Sequence, residues 1–87
     1  MMSEVVVYST TSCSYCVKAK TWLSQKGIAY VEKSLNDPTI RQQFVERYPA
    51  VRTVPHIVVV ENDGSEQVIG GYDRLVESGI ETRLGVS

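Results

Sequence analysis

The sequence predicts an α/β fold: a four-stranded mixed sheet covered by three helices, in the order β-α-β-α-β-β-α. Three observations lead there. Short β-branched runs alternate with segments of helical period along the chain. A single helical segment joins the first two runs, which makes them a parallel pair if they are neighbours. The turn sequence Asn62-Asp63-Gly64 joins the last two, which makes them a hairpin. The 87 residues suit one small domain, residues 1–87, with no room for a second core.

Glu4 to Ser9 holds Val5, Val6, Val7 and Tyr8, a run that suits a strand buried on both faces. A polar stretch follows, and Ser12 or Cys13 stands where a helix cap is needed. From Ser14 to Lys26, Cys16, Ala19 and Leu23 recur at i, i+3 and i+7 beside Trp22, and Gly27 is placed to end the helix. Ile28 to Ser34 alternates as a second strand with one more polar face. Asn36-Asp37-Pro38 puts a capping side chain before a proline, and Ile40, Phe44 and Tyr48 follow at helical spacing with Val45 alongside. Pro49 ends that second helix. His56 to Val60 and Gln67 to Ile69 form the hairpin, and Gly70-Gly71 break the chain. A last amphipathic segment begins near Asp73, with Leu75, Val76 and Ile80 as core contacts.

Composition narrows the function. The net charge is −1 and the nine basic residues are scattered, so nucleic acid is not an expected partner. No apolar stretch approaches the roughly 20 residues that span a bilayer, and the N-terminus lacks the basic segment and apolar core of a signal peptide. A cytoplasmic, reducing location is the expectation. Two cysteines and one histidine are too few for a closed zinc site within one chain, so no metal is expected.

Cys13-Ser14-Tyr15-Cys16 is a C-x-x-C motif directly after a strand and at the start of a helix, the context in which that spacing reads as redox-active. Within one helical turn the two side chains are neighbours, so a disulfide closes with little backbone movement. At the helix edge, unpaired N–H groups and the positive end of the dipole favour a thiolate on Cys13, the expected nucleophile. Cys16 lies one turn inward on the apolar face and is expected to act second, resolving a mixed disulfide. A structural bridge or a pair of packed thiols is the bland alternative; a reducing compartment disfavours the first, and the strand-to-helix turn disfavours the second.

Three motifs in order, Cys13-Ser14-Tyr15-Cys16, Thr53-Val54-Pro55 and Gly70-Gly71-Tyr72-Asp73, resemble the glutaredoxin family across nearly the whole chain. The resemblance implies a thioredoxin-like fold, glutathione as reducing co-substrate, and reduction of protein disulfides or of glutathione mixed disulfides. It also implies a cis Val54-Pro55 bond facing Cys13. Backbone at Val54 would then pair with glutathione as an added strand. By the same resemblance Tyr72 and Asp73 hold the γ-glutamyl carboxylate, the Asp73 side chain meets the ammonium, Tyr15 lies beside the thiol, and Gln42 reaches the glycyl end. A monomer is expected, with glutathionylated or disulfide-bonded proteins as partners; a ribonucleotide-reducing enzyme is among the targets the resemblance allows.

Two departures stand out. Thr10 occupies a position where many relatives carry lysine, leaving Arg41, Lys18 or Arg52 as substitutes, and Ser14 replaces a common proline. Some relatives without that proline resemble iron–sulfur carriers, so the alternative reading is a [2Fe-2S] carrier or sensor in which Cys13 and glutathione ligate a cluster shared by a dimer. An electron donor served by a thioredoxin-type reductase is a third reading, against which the Gly70 to Asp73 motif argues. His56, alone at the start of a strand, is expected to be packed and hydrogen-bonded and is left out of the site.

Overall fold

The computed structural model describes residues 4–51 and 53–80. Its elements are β1 (Glu4–Ser9), α1 (Ser14–Gln25), β2 (Tyr30–Ser34), α2 (Pro38–Arg47), β3 (His56–Val60), β4 (Glu66–Gly70) and α3 (Tyr72–Glu77). The sheet runs in the order β2-β1-β3-β4, with β1 parallel to β2 and antiparallel to β3, and β3 antiparallel to β4. This is the mixed four-stranded architecture the alternation of patterns predicts.

The central strands β1 and β3 are covered on both faces, which is why each reads as an unbroken apolar run rather than an alternation. Val5 and Val7 of β1 and Ile57 and Val59 of β3 point to one face, where Ala19 and Leu23 of α1 and Leu75 of α3 complete the main core with Ile28 and Ile80. Tyr8 and His56, opposite each other in the β1–β3 register, point to the other face and meet the rings of Phe44 and Tyr48. Two helices therefore cover one face and α2 the other. Arg47 and Tyr48 at the end of α2 both bond to Glu66, tying that helix to the edge strand β4. No helix among the described residues is long and apolar enough to cross a membrane.

Several expectations shift. The second strand begins at Tyr30, not Ile28, because Gly27 takes a left-handed φ of 73° and Ile28 turns into the core before pairing starts. The last strand extends one residue beyond Gln67 to Ile69 at each end. Helix α3 starts at Tyr72 with Gly71 as its cap, so Asp73 lies in its first turn. Val76 is exposed rather than a core contact, since Leu75 and Ile80 already meet the core. His56 is buried and packed as expected, but its Nε2 has no hydrogen-bond partner.

Candidate active site

The ends of three strands define the site. Because β3 and β4 run antiparallel, β1 leaves the sheet at the edge where β3 enters and β4 leaves. That edge carries the turn to Cys13, the loop ending at Pro55 and the link Gly70-Gly71.

Cys13 is the N-cap of α1, with an extended backbone (φ −112°, ψ 109°) that frees its side chain from the helix. Its sulfur accepts the Cys16 N–H at 3.1 Å, one of the donors that a helix start leaves unpaired. It also lies 3.7 Å from the Val54 carbonyl oxygen, to which the thiol donates. Cys13 is half-buried and Cys16 fully buried, and both are free thiols. The Cys16 thiol is pushed up to about 11, by burial first and then by its hydrogen bond with Cys13. One sulfur is thus open to solvent, and the other is held protonated behind it.

The Val54-Pro55 bond is cis. Tyr15, Thr53, Val54, Pro55, Gly71, Tyr72, Asp73 and Arg74 line an open cavity of about 290 Å³, and the Val54 of that lining is the residue whose carbonyl meets the Cys13 sulfur. The Tyr15 and Tyr72 rings in its lining are a tilted pair, their centroids 6.3 Å apart. Gly70 takes φ 107°, a conformation that side chains rarely adopt, and this turns the chain from β4 into α3. The glycine pair therefore sets where Tyr72 and Asp73 stand.

Tyr15, the motif residues Thr53, Val54 and Pro55, and the motif residues Gly71, Tyr72 and Asp73, all expected at glutathione, share this groove. Gln42 does not: on α2 it lines a separate depression with Arg41, Val45 and Glu46, and its amide donates to Glu46 at 3.3 Å. Of the substitutes for the missing lysine, Lys18 sits over the Tyr15 ring with Nζ 4.9 Å from its centroid. Arg41 lines the Gln42 depression, and Arg52 lies outside the described residues. Arg74 is a groove residue the sequence reading missed. It lies in the last turn of the short helix α3, where a cation is ordinary, so its residue type did not set it apart from a solvated helix face. Among the described residues, no cluster of three or more His, Cys, Asp or Glu side chains is placed to share a metal ion.

The glutaredoxin family model matches residues 5–63. Glutaredoxin 1 of Rickettsia conorii is 31% identical over 86 residues, covering 97% of this chain and 79% of that protein. Glutaredoxin 3 of Escherichia coli K12 is 31% identical over 74 residues, covering 85% of this chain and 83% of that one. Among solved structures, glutaredoxin 1 from Francisella tularensis, complexed with cacodylate, superposes with a TM-score of 0.69 at 28% identity, covering 94% of this chain and 96% of that one. The buckwheat glutaredoxin–glutathione complex gives 0.67 at 28% identity, covering 94% and 73%. The fold is thioredoxin-like, the chemistry is that of a thiol–disulfide oxidoreductase, and the chain belongs to the glutaredoxin family.

Proposed function

We propose that this chain is a glutathione-dependent oxidoreductase acting as one domain over residues 1–87, with Cys13 as nucleophile and Cys16 as resolving thiol. One observation carries the reading: the Cys13 sulfur stands on a helix-start N–H at 3.1 Å, beside a groove made by Tyr15, the Thr53-Val54-Pro55 loop and the Gly71-Tyr72-Asp73 turn. The buckwheat relative was solved as a complex with glutathione, which supports the same ligand here.

The Cys13 thiolate attacks the glutathione sulfur of a mixed disulfide. The S–S bond breaks, the target leaves as a thiolate that takes a proton, and glutathione stays bonded to Cys13. Backbone at Val54 pairs with the cysteinyl unit. The Tyr72 and Asp73 backbone receives the γ-glutamyl carboxylate, and the Asp73 carboxylate meets the ammonium. A second glutathione then displaces Cys13, giving oxidised glutathione and the free enzyme. With a protein disulfide, Cys13 attacks one sulfur, Cys16 then attacks Cys13 and releases the target, and two glutathiones reduce the resulting Cys13–Cys16 bond, leaving as oxidised glutathione. The partners that follow are glutathione and disulfide-bonded or glutathionylated proteins, met by a monomer in the cytoplasm.

The test is a pair of assays, one on a glutathionylated peptide and one on a protein disulfide, with glutathione or thioredoxin reductase as electron source. Glutathione should support turnover and the reductase should not. Cys13→Ser should lose both reactions, whereas Cys16→Ser should keep deglutathionylation and lose most protein-disulfide reduction. Deglutathionylation by Cys13→Ser, or its loss in a folded Cys16→Ser, sinks the assignment.

A further inference from the structure

Burial sets a problem for Cys16. Its side chain is 1% exposed, and a buried thiol held in its protonated form attacks slowly at neutral pH. The titratable groups acting on it are Cys13, which favours the protonated form, and Lys20, which favours the thiolate; the Thr10 backbone adds hydrogen bonding on the side of the thiolate.

Lys20 is built into position. It stands four residues after Cys16 on α1, hence on the same face of the helix. Helical side chains lean toward the N-terminus, so its stem runs back over the turn that holds Cys16. The ammonium is fixed 2.8 Å from Glu32 Oε2 on β2, and the same oxygen accepts the hydroxyl of buried Ser9 at 2.6 Å. Ser9 ends β1 and leads directly into Thr10. With its side chain 27% exposed, the lysine is screened less than a free surface cation.

We propose that Lys20, anchored by Glu32 and Ser9, is a positioning residue for the second half-reaction, its charge favouring the Cys16 thiolate once Cys13 is held in a mixed disulfide. The inference rests on the reading above and deepens it. In the reduced protein, Cys13 offers Cys16 a hydrogen bond and a like charge, and both hold the Cys16 proton in place. Capping Cys13 removes them, leaving the Lys20 ammonium, partly offset by its Glu32 partner, against the burial of Cys16. Cys16 then gives its proton to solvent and its sulfur attacks the Cys13 sulfur. The bond from Cys13 to the target breaks as the Cys13–Cys16 bond forms, and the target sulfur leaves with the electron pair and takes a proton from solvent. Order of reaction is thereby written into the charges around the second thiol.

The experiment follows the reduced full chain reacting with 5,5′-dithiobis(2-nitrobenzoate). Attack by Cys13 releases one coloured thiolate, and displacement by Cys16 releases the second. In Lys20→Met the ratio of second-phase to first-phase rate constants at pH 7 should fall about two- to fivefold, the size expected of one partly screened charge. The pH midpoint of the second phase should move upward, and Lys20→Arg should restore both. An unchanged ratio and midpoint in Lys20→Met, or a loss that Lys20→Arg does not restore, overturns the proposal. Failure of the underlying reading looks different: Cys13→Ser would keep the first phase, or Cys16→Ser would still release the second thiolate.

Discussion

Cys13 and Cys16 are the same residue type three positions apart, and their difference is a matter of place. One caps the helix and takes an N–H on its sulfur; the other is sealed under the first turn. This much was legible, because a C-x-x-C at a strand-to-helix junction dictates which cysteine faces outward. Asp73 is the residue on which the proposed glutathione contact most depends. A charge-assisted hydrogen bond contributes roughly 1.5–3 kcal/mol, so Asp73→Ala should lower kcat/KM for a glutathionylated substrate about tenfold or more. Steady-state kinetics checks it, and an unchanged value removes Asp73 from the site. Lys20 and Arg74 were not legible in the same way. A charge on a helix normally belongs to a solvated face, and only the approach of β2 to α1, and of α3 to the Pro55 loop, gives these two something to act on. His56 shows the converse: its burial was foreseen, but the orphaned Nε2 depends on which rings surround it.

Helix α2 is held by a cap at one end and a tether at the other. The Asp37 carboxylate accepts the N–H groups of Thr39 at 2.9 Å and Ile40 at 3.4 Å, and Pro38 occupies the first turn, where its missing N–H costs nothing. Loss of such a cap destabilises by about 1 kcal/mol, which in a domain of this size lowers the melting temperature by roughly 4–8 °C. Thermal unfolding of Asp37→Ala should show that drop, with the reaction at Cys13 intact; no change would mean that solvent caps the helix equally well. The elements were readable wherever local chemistry decides them, as with Asp37-Pro38, the valine runs and the Asn62-Asp63-Gly64 turn. They were misread where tertiary packing decides. Ile28 has the residue type of a strand but is drawn into the core ahead of it. Val76 has helical spacing, but α3 buries only one side and Leu75 fills it. The last helix does start near Asp73, at Tyr72 with Gly71 as its cap, directly after the left-handed turn at Gly70.

For the molecule as a whole, the buried titratable groups limit the pH range of stability. His56 is pushed below its ordinary value of 6.5 by burial, opposed by Glu66. Its contribution is present above that value and is lost as the pH falls below it toward the folded-state value. On the alkaline side, Cys16 rises from an ordinary 9.0 to about 11 through burial and its contact with Cys13. Tyr48 rises from 10.0 to about 12 through burial and its bond to Glu66. Their contributions are complete below the ordinary values and are lost as the pH climbs through the raised ones. Urea denaturation across pH should therefore give a plateau that declines below about 6.5 and again between about 9 and 12. A Cys16→Ser curve that declines from pH 9 as steeply as the wild type would refute the assignment of the first alkaline step to that thiol.

The convergence of three strand ends at one edge of the sheet has a consequence for how the protein is made. Both cysteines leave the ribosome early, whereas the carbonyl that meets the Cys13 sulfur lies 41 residues later, and the Gly71 to Asp73 wall comes later still. Until β3 docks against β1 and β4 against β3, the nascent chain carries two thiols with no groove beside them. A chain short of its last third therefore has the helix start at Cys13 but none of the groove that lies beside it.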